Sequence, residues 1–463
     1  MPKSERKIFT NQSLSMKKIK AIGYDMDYTL IHYHTELWEE LAYNTIVEYL
    51  KKHHMSMPKT KFDPELVIRG LIIDRKYGNI LKVCQYGQVK LAYHGTSALS
   101  PKRIGQLYSK EIVHLSSDRF VFLNTLFSGS IGCLYTQLVD AHDHGQLASY
   151  DYDTLYELLD EATAYTHLES HLKSEIIKNP SKYVFKDDDM ILTLKEQIAC
   201  GKKLFLVTNS DWDYTQSIMS HVFDPYLDGE SWESLFNVIV VGARKPAFFS
   251  SSQETFCVDR ETSLLKPVGR KLPSGQIYYR CNAQEVESLL KVSGNDIIYV
   301  GDHMYTDINV SKRVFGWRTC LIIRELEKEI NTIIINKESI KRLISMRRER
   351  HTIDKIMSRL EMDQITQKES FEKDQAEHLA SLKKQYKKID AQIIEEERKY
   401  NQLSNKTWGL LMRSGQQKSH LARQVERYAD IYTSRVSNFH FYSPSCHFDY
   451  ISRPLPHDTN ITR

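Results

Sequence analysis

The sequence lacks any run of about 18 apolar residues, the length that a membrane-spanning helix requires. Its N-terminal segment, MPKSERKIFTNQSLSMKK, also lacks the apolar stretch of a signal peptide. The 7 cysteines include no CxxC pair and are odd in number, which is typical of reduced thiols rather than of a disulfide framework or a zinc site. We therefore expect a cytoplasmic protein that does not act at a membrane.

Strong charge of either sign is absent as well. The formal net charge is +4 over 463 residues, and Lys and Arg in the C-terminal part alternate with Glu and Asp. A mixed surface of this kind excludes the basic stripe that nucleic-acid binding requires. At 41% hydrophobic residues the chain can bury a sizeable core, and its length suits two or three domains.

Four short polar segments each follow an apolar run of strand length. Ligands of α/β sheets bind just beyond the carboxyl ends of the strands, so four such segments in this order predict one shared site. The segments are Asp25-Met26-Asp27-Tyr28-Thr29, Thr208-Asn209-Ser210, Lys245-Pro246, and Gly301-Asp302 with Asp307.

These residue types suit phosphate chemistry. A phosphate ester is anionic, so catalysis depends on neutralising charge and aligning the reactants. Asp25 can attack phosphorus to form an aspartyl-phosphate, and Asp27 can protonate the leaving oxygen and later deprotonate water. Asp302 offers a second carboxylate for a hard cation, for which Mg²⁺ is expected.

The remaining polar groups are predicted to hold the phosphate. Thr208, Asn209 and Ser210 offer hydroxyl and amide donors, and Lys245 adds a positive charge. Each segment taken alone also has an ordinary explanation, as a solvated loop, a helix cap, a surface lysine or a turn. Those explanations do not account for all four segments following apolar strands.

Strands alternate with helices from about residue 186 to 325, which predicts a parallel, doubly wound sheet. The fold class is therefore α/β, with an inserted mixed α/β cap and a C-terminal helical extension. The predicted domains are a catalytic core over 1–34 and 186–325, a cap over 35–185, and a helical region over 326–463 that returns to the core.

A seam of apolar residues in the helical region steps by three and four, which is typical of a helical hairpin or short coiled coil. Such a seam packs either within the subunit or against a second copy, and we expect a homo-oligomer, a dimer or a tetramer. The seam comprises Leu379, Leu382, Tyr386, Ile389 and Ile393, continued by Tyr400 and Leu403.

The four motifs resemble those of the haloacid dehalogenase-like (HAD) hydrolases, whose pattern is DxDxT, then Thr or Ser, then Lys, then GDxxxxD. Further segments are similar to the cytosolic purine 5′-nucleotidase family, whose members prefer IMP and GMP. The resemblance runs from about Phe9 to about His457, and its segments are GYDMDYTL, FLNTLF, LVTNSDWDYT, GARKPAFF, YVGDHMYTDI with GWRT, and RSGQQ…QVERYADIY.

The resemblance implies roles for individual residues. Asp25 is the nucleophile, Asp27 the general acid/base, and Thr208, Asn209, Ser210 and Lys245 bind phosphate. Mg²⁺ is held by Asp25, the backbone carbonyl of Asp27, and Asp302. Asp307 contacts these ligands without binding the ion itself. The resemblance assigns substrate contacts to three more residues, Lys173 for phosphate, Phe127 for stacking on the purine, and His167 for the base.

The chain departs from the family where the purine edge is read. The family has an Arg and an Asp there, and an ungapped pairing places Asp160 and Ala164 at these positions, with Glu161 as a substitute after a slight shift. Removing hydrogen-bond partners of a base loosens selection. The resemblance also implies a separate effector site for purine nucleotides, matched here by Asn124, Arg313, Arg427 and Tyr428.

Three functions follow from these observations. The first is a Mg²⁺-dependent 5′-nucleotidase acting on IMP and GMP, with transfer of the phosphoryl group to another nucleoside as a side reaction. The second keeps the chemistry but acts on a sugar phosphate or another small phosphomonoester. The third is an assembly protein organised by the 345–405 helices, which the intact Asp25, Asp27, Lys245 and Asp302 disfavour.

Overall fold

The computed structural model describes residues 2–53, 55–168, 171–250, 254–269, 272–366 and 372–451. Its largest element is a ten-stranded sheet, here called the main sheet. From one edge to the other the strands are Phe9–Thr10, Ile431–Thr433, Arg318–Ile322, Ile297–Gly301, Ala21–Tyr24, Lys203–Val207, Val238–Val241, Ile277–Tyr279, Phe256–Val258 and Leu265–Pro267.

The central strands of the main sheet run parallel, from Ile431–Thr433 to Ile277–Tyr279. Antiparallel strands complete both edges. In register, Tyr24 lies opposite Leu206 on one side and Val300 on the other. The carboxyl ends of three neighbouring strands therefore meet at one edge of the sheet.

Both faces of the main sheet are buried. Ile22 and Tyr24 pack into the apolar cluster on one face, whereas Ala21 belongs to the cluster on the other. Successive side chains of a strand point to opposite faces, so a strand covered on both sides has a continuous apolar sequence. This explains the apolar runs that preceded each polar segment. The fold is a mixed α/β fold with a large, mostly parallel sheet, as predicted.

A second sheet of five antiparallel strands lies in the segment predicted as the cap. Its strands, in spatial order, are Ser97–Ala98, Val89–His94, Asn79–Val83, Ile72–Asp74 and Phe120–Phe122. Helices Thr35–His53, Gly129–Asp143 and Tyr152–Leu168 form an apolar cluster together with residues of this sheet. The limits of the predicted domains at 34, 185 and 325 stay predictions.

Helices Lys337–Thr366 and Lys373–Tyr400 form an antiparallel hairpin. Ion pairs Arg347–Glu397 and Arg350–Asp390 join the two helices. The predicted seam packs within the chain, because Leu382, Ile389 and Ile393 form a cluster with Leu343 and Ile353 of the partner helix. The homo-oligomer stays a prediction.

The other helices connect the strands or cover the sheets. None of the helices within the described part of the chain combines the length and the apolar character that crossing a membrane requires. The other α-helices are Pro101–Tyr108, His171–Lys178, Pro180–Tyr183, Asp188–Ala199, Trp212–Phe223, Ala283–Leu290, Val310–Phe315, Leu326–Ile335 and His420–Tyr428.

The close packing around Gly23 predicts that a side chain at this position destabilises the main sheet. A Cβ atom at Gly23 would lie 2.3 Å from Phe205 Cζ and 2.7 Å from Tyr299 Cδ2. Gly23→Ala should therefore lower the free energy of unfolding by about 1–3 kcal/mol or more, because both rings are held in a close-packed core. Urea denaturation followed by circular dichroism measures this change.

Gly105→Ala is the matched control. Gly105 lies in helix Pro101–Tyr108, and a Cβ there would meet nothing within 4 Å. Alanine in an exposed helix should be neutral or stabilising, by up to about 1 kcal/mol. Equal denaturation midpoints for the two variants would contradict the packing described at Gly23.

Candidate active site

Three buried aspartates lie together at the carboxyl edge of the main sheet. Asp25 follows strand Ala21–Tyr24 directly, and Asp302 follows the neighbouring strand Ile297–Gly301. Asp307 lies in the π-helical turn Met304–Asn309 and folds back toward the strand end. One carboxylate oxygen from each of the three lies within 4.8 Å of the other two. The fold thus brings together residues that are far apart in sequence.

Lys245 joins this carboxylate cluster from the loop after strand Val238–Val241. Its Nζ lies 2.8 Å from Asp25 Oδ1 and 2.8 Å from Asp307 Oδ1. It also donates to the Tyr299 hydroxyl at 3.3 Å. The backbone N–H of Lys245 donates to Asn209 Oδ1 at 2.7 Å, so Asn209 ties two of the predicted segments together.

Asp27 has a different set of partners. The Tyr33 hydroxyl donates to Asp27 Oδ1 at 2.5 Å, and the Ser210 hydroxyl donates to Oδ2 at 2.9 Å. Tyr33 is itself within hydrogen-bond distance of the Tyr214 hydroxyl, at 2.9 Å. Both oxygens of Asp27 are therefore bound by neutral donors, whereas Asp25 is bound by a cation.

The loop after strand Lys203–Val207 is folded tightly beside these carboxylates. The backbone N–H of Ser210 donates to the buried Thr208 hydroxyl oxygen at 3.0 Å. Lys173, in helix His171–Lys178, pairs with Asp211 at 2.8 Å and lies over the ring of Tyr214. Its ammonium group thus stands on the same side of the site as Asp27.

The site is short of positive charge. Burial raises the pKa of Asp25 to about 8, with Asp307 and Asp27 adding to the shift and Lys245 opposing it. Burial likewise raises the pKa of Asp27 and of Asp302. Burial alone would lower the pKa of Lys245, but Asp25 and Asp307 outweigh it and raise that pKa. Both members of the Lys245–Asp25 pair shift upward because several buried carboxyl groups depend on one lysine.

This arrangement fits a divalent cation. Asp302 Oδ2 is buried and, within the described residues, has no hydrogen-bond partner. Asp307 instead uses one oxygen for Lys245 and the other for the backbone N–H of His303, at 3.1 Å. Asp25 and Asp302 could therefore hold the ion while Asp307 orients their surroundings. A set of carboxylate oxygens suits a hard ion such as Mg²⁺.

The predicted base-site residues lie on the cap side. Phe127, in the turn Leu126–Ser128, packs edge-on against Tyr28 at 4.7 Å and Trp38 at 4.5 Å between ring centroids. His167 falls in helix Tyr152–Leu168, but its side chain is outside the described part. Asp160 and Ala164 are exposed on the same helix, and that helix's Glu161, also exposed, accepts a hydrogen bond from Tyr49.

The residues predicted for an effector site lie on neighbouring elements. Arg427 and Tyr428 end helix His420–Tyr428, and Lys312, beside Arg313, donates to the Tyr428 carbonyl at 3.2 Å. Asn124 follows strand Phe120–Phe122, whose last residue packs against the same apolar cluster as Tyr428. Their role in regulation stays a prediction.

Several residues of the site were not predicted. Tyr33 donates to Asp27, Tyr214 contacts Tyr33 and Lys173, and Tyr299 accepts from Lys245. Arg69 donates to the Asp302 carbonyl at 3.3 Å. The only sequence signal was their proximity to the motifs, since Tyr33 is six residues after Asp27 and Tyr299 precedes Asp302 by three. Arg69 comes from a distant segment and gave no signal.

Comparison of the sequence with known proteins finds a family and relatives that match nearly the whole chain. A family model described as the 5′ nucleotidase family matches residues 8–460. A 5′-nucleotidase domain-containing protein of Dictyostelium discoideum is 27% identical over 469 residues, which cover 98% of this chain and 75% of that protein. Human 5′-nucleotidase domain-containing protein 2 is 26% identical over 470 residues, covering 98% and 85%.

Likeness to one solved structure of this kind is distant. A predicted phosphoglycolate phosphatase from Haemophilus somnus is 13% identical, with a TM-score of 0.29 over 66% of this chain and 86% of that chain. A similarity this low adds nothing to the family match or to the geometry of the chain's own residues.

If the carboxylate cluster binds Mg²⁺, removing the Asp302 carboxylate should weaken that binding. Asp302→Asn should weaken Mg²⁺ binding by at least about 10- to 100-fold, the loss usual for even indirect partners of a metal. Calorimetric titration with MgCl₂ measures the affinity, and competition with Mn²⁺ followed by paramagnetic resonance gives a second readout.

Asp296→Asn is the control for this prediction. Asp296 stands before the other end of the same strand and is paired with Lys20 at 2.8 Å. It should bind Mg²⁺ as the parent protein does. Equal affinities for the parent protein and Asp302→Asn would show that the cluster does not hold the ion.

Proposed function

The chain belongs to the 5′ nucleotidase family, and we propose that it is a Mg²⁺-dependent enzyme that releases phosphate from purine nucleoside 5′-monophosphates, IMP and GMP foremost. The observation that carries this proposal is the contact of Asp25 with Lys245 inside a buried carboxylate cluster at the strand ends. Family membership makes the chain a phosphomonoester hydrolase. The nucleotide preference rests on the resemblance of FLNTLF and GARKP to the purine-specific members.

Asp25 is proposed as the nucleophile. Asp25 directly follows a central strand, and its backbone is held by the sheet because its N–H donates to the Val300 carbonyl at 2.9 Å. Lys245, 2.8 Å away, favours the ionised form that attack requires. Asp25 and Asp302 would hold Mg²⁺, and a bound ion would supply neutralisation of charge on the phosphoryl group. The bond from Asp25 to phosphorus forms as the bond from phosphorus to the nucleoside 5′-oxygen breaks.

Asp27 is proposed as the general acid and base. Burial raises its pKa, which favours the protonated form that can give a proton to the departing 5′-oxygen. The resulting carboxylate then takes a proton from the water that attacks the phospho-aspartate. Tyr33 and Ser210 hold both oxygens in place throughout. If a second nucleoside takes the place of water, the same steps transfer the phosphoryl group to it.

Phosphate oxygens would be bound by residues around this pair. Thr208, Asn209 and Ser210 form the loop beside Asp27, and Lys173 brings a second cation from the cap. Because Lys173 pairs with Asp211 here, we propose that it exchanges this partner for the substrate phosphate. Phe127 and His167 are proposed to contact the purine.

A second candidate keeps the chemistry and changes the substrate to another small phosphomonoester. The exposure of Asp160 and Ala164 favours it, because exposed side chains of this kind do not form a closed surface that reads a base. Faster turnover of a sugar phosphate than of any nucleotide would support it.

Phosphate release from a panel of substrates tests the proposal. We expect IMP and GMP to have the highest kcat/KM among purine, pyrimidine and sugar monophosphates, and all activity to require Mg²⁺. Asp25→Asn should lower kcat by at least about 10⁴-fold, as removal of a nucleophile does elsewhere. Asp296→Asn, an equivalent change at a half-buried position before the other end of the strand, should retain activity. Absence of phosphate release from every nucleotide would refute the nucleotidase proposal.

The proposed intermediate can be observed with p-nitrophenyl phosphate, whose leaving group needs no proton. Asp27→Asn should still be phosphorylated by this substrate, but it should lose phosphate slowly because no base activates water. Intact-mass spectrometry after an acid quench should show one added phosphoryl group. The Asp25→Asn/Asp27→Asn double variant should show none; phosphorylation of that variant would remove Asp25 from the mechanism.

A further inference from the structure

A cavity of about 310 Å³ lies between the cap and the main sheet, and we call it the Glu39 cavity. Its walls come from the start of helix Thr35–His53, residues 62–69, Thr125 and Leu126, residues 324–328, and the loop 404–411. Its volume is at the lower end of the range for small-molecule sites, about 300–1,000 Å³.

The Glu39 cavity adjoins the carboxylate cluster. Arg69 lines the cavity and donates from Nη1 to the Asp302 carbonyl at 3.3 Å. On another wall, Leu126 precedes Phe127, which packs against Tyr28 of the first catalytic motif. A group attached to a phosphate at Asp25 therefore has this cavity as a neighbour.

Buried polar atoms without partners belong to residues that line the cavity. Within the described residues, Glu39 Oε1, Arg69 Nε and Glu325 Oε1 have no hydrogen-bond partner. Glu39 is only 2% exposed, and its other oxygen accepts from the backbone N–H of Ser130. A buried polar group without a partner costs about 1–3 kcal/mol, so these atoms require a ligand or ordered water.

We propose that Glu39 binds a ribose hydroxyl of the nucleotide and so determines the preference for the sugar. This inference rests on the proposed nucleotidase function and adds the position of the sugar to it. In a 5′-monophosphate the ribose is the group joined directly to the phosphate, so it reaches the volume next to the carboxylate cluster first. Arg69 Nε and Glu325 Oε1 add a donor and an acceptor, as a sugar with two free hydroxyls requires.

A hydroxyl suits Glu39 in either protonation state. Burial raises the pKa of Glu39 to about 8, against the opposing hydrogen bonds from Ser130 and Gly129. The side chain can therefore carry a proton near neutral pH. A ribose hydroxyl donates to the carboxylate and accepts from the acid.

Deoxynucleotides test this proposal without any change to the protein. We expect the parent enzyme to hydrolyse IMP with kcat/KM about tenfold above that of 2′-deoxy-IMP or 3′-deoxy-IMP, because a missing hydroxyl leaves buried polar atoms unpaired. Equal kcat/KM values for all three would overturn the proposal, and would mean that the cavity holds only water. That result leaves the nucleotidase function intact, whereas failure to hydrolyse any nucleotide refutes both.

Variants at Glu39 test whether this residue causes the preference for IMP over its deoxy analogues. Glu39→Ala should bring the ratio of kcat/KM for IMP to that for the discriminated deoxynucleotide close to one. Glu39→Gln should keep most of the ratio, because its amide still pairs with a hydroxyl. Glu40→Ala, at the exposed neighbour on the same helix, should keep the parent ratio. A ratio that survives in a folded Glu39→Ala protein would overturn the assignment.

Discussion

The site depends on holding buried carboxyl groups close together although their charges repel. Asp25, Asp302 and Asp307 converge on one small volume, and burial raises the pKa of the first two. Lys245 offsets part of this repulsion through its contacts with Asp25 and Asp307. A single lysine cannot neutralise three carboxylates, so the remaining negative charge suits a divalent cation, and only with that cation would the site suit an anionic phosphoryl group. The proposed affinity for a metal would in this sense be a consequence of how the sheet edge is built.

The backbone supplies the proximity that this arrangement needs. A Cβ at Gly301 would lie 2.3 Å from Asp307 Oδ2, so only glycine lets the turn Met304–Asn309 fold back onto the strand end. Gly23 has the same function in the neighbouring strand, where Phe205 and Tyr299 occupy the space of a side chain. Tyr299 then reaches Lys245 with its hydroxyl. The close packing of Tyr299 against Gly23 therefore also determines where Tyr299 contacts Lys245.

The central sheet and the motif residues could be predicted because each strand is buried on both faces and ends on a polar segment. Strands Ile277–Tyr279 and Ile431–Thr433 were missed, since three residues give no periodicity and their pairing depends on partners distant in sequence. Tyr33 and Arg69 were also missed, because their contacts with the site depend on a loop and a cap segment that fold over the carboxylates. Local sequence does not reveal such folding. Residues at the strand ends could therefore be predicted from sequence, whereas residues that reach the site from the cap could not.

The surroundings of Asp25 and Asp27 explain how two carboxyl groups two residues apart can do different chemistry. Asp25 contacts the ammonium group of Lys245, which favours a charged nucleophile. Asp27 accepts hydrogen bonds from the hydroxyls of Tyr33 and Ser210, which favour its ionised form, whereas burial raises its pKa. A group that must give a proton and then take one back requires both states to be accessible. A lysine in direct contact with Asp27, as Lys245 is with Asp25, would favour the ionised form further and oppose the first of these steps, so neutral donors to Asp27 suit the proposed mechanism as the cation beside Asp25 does.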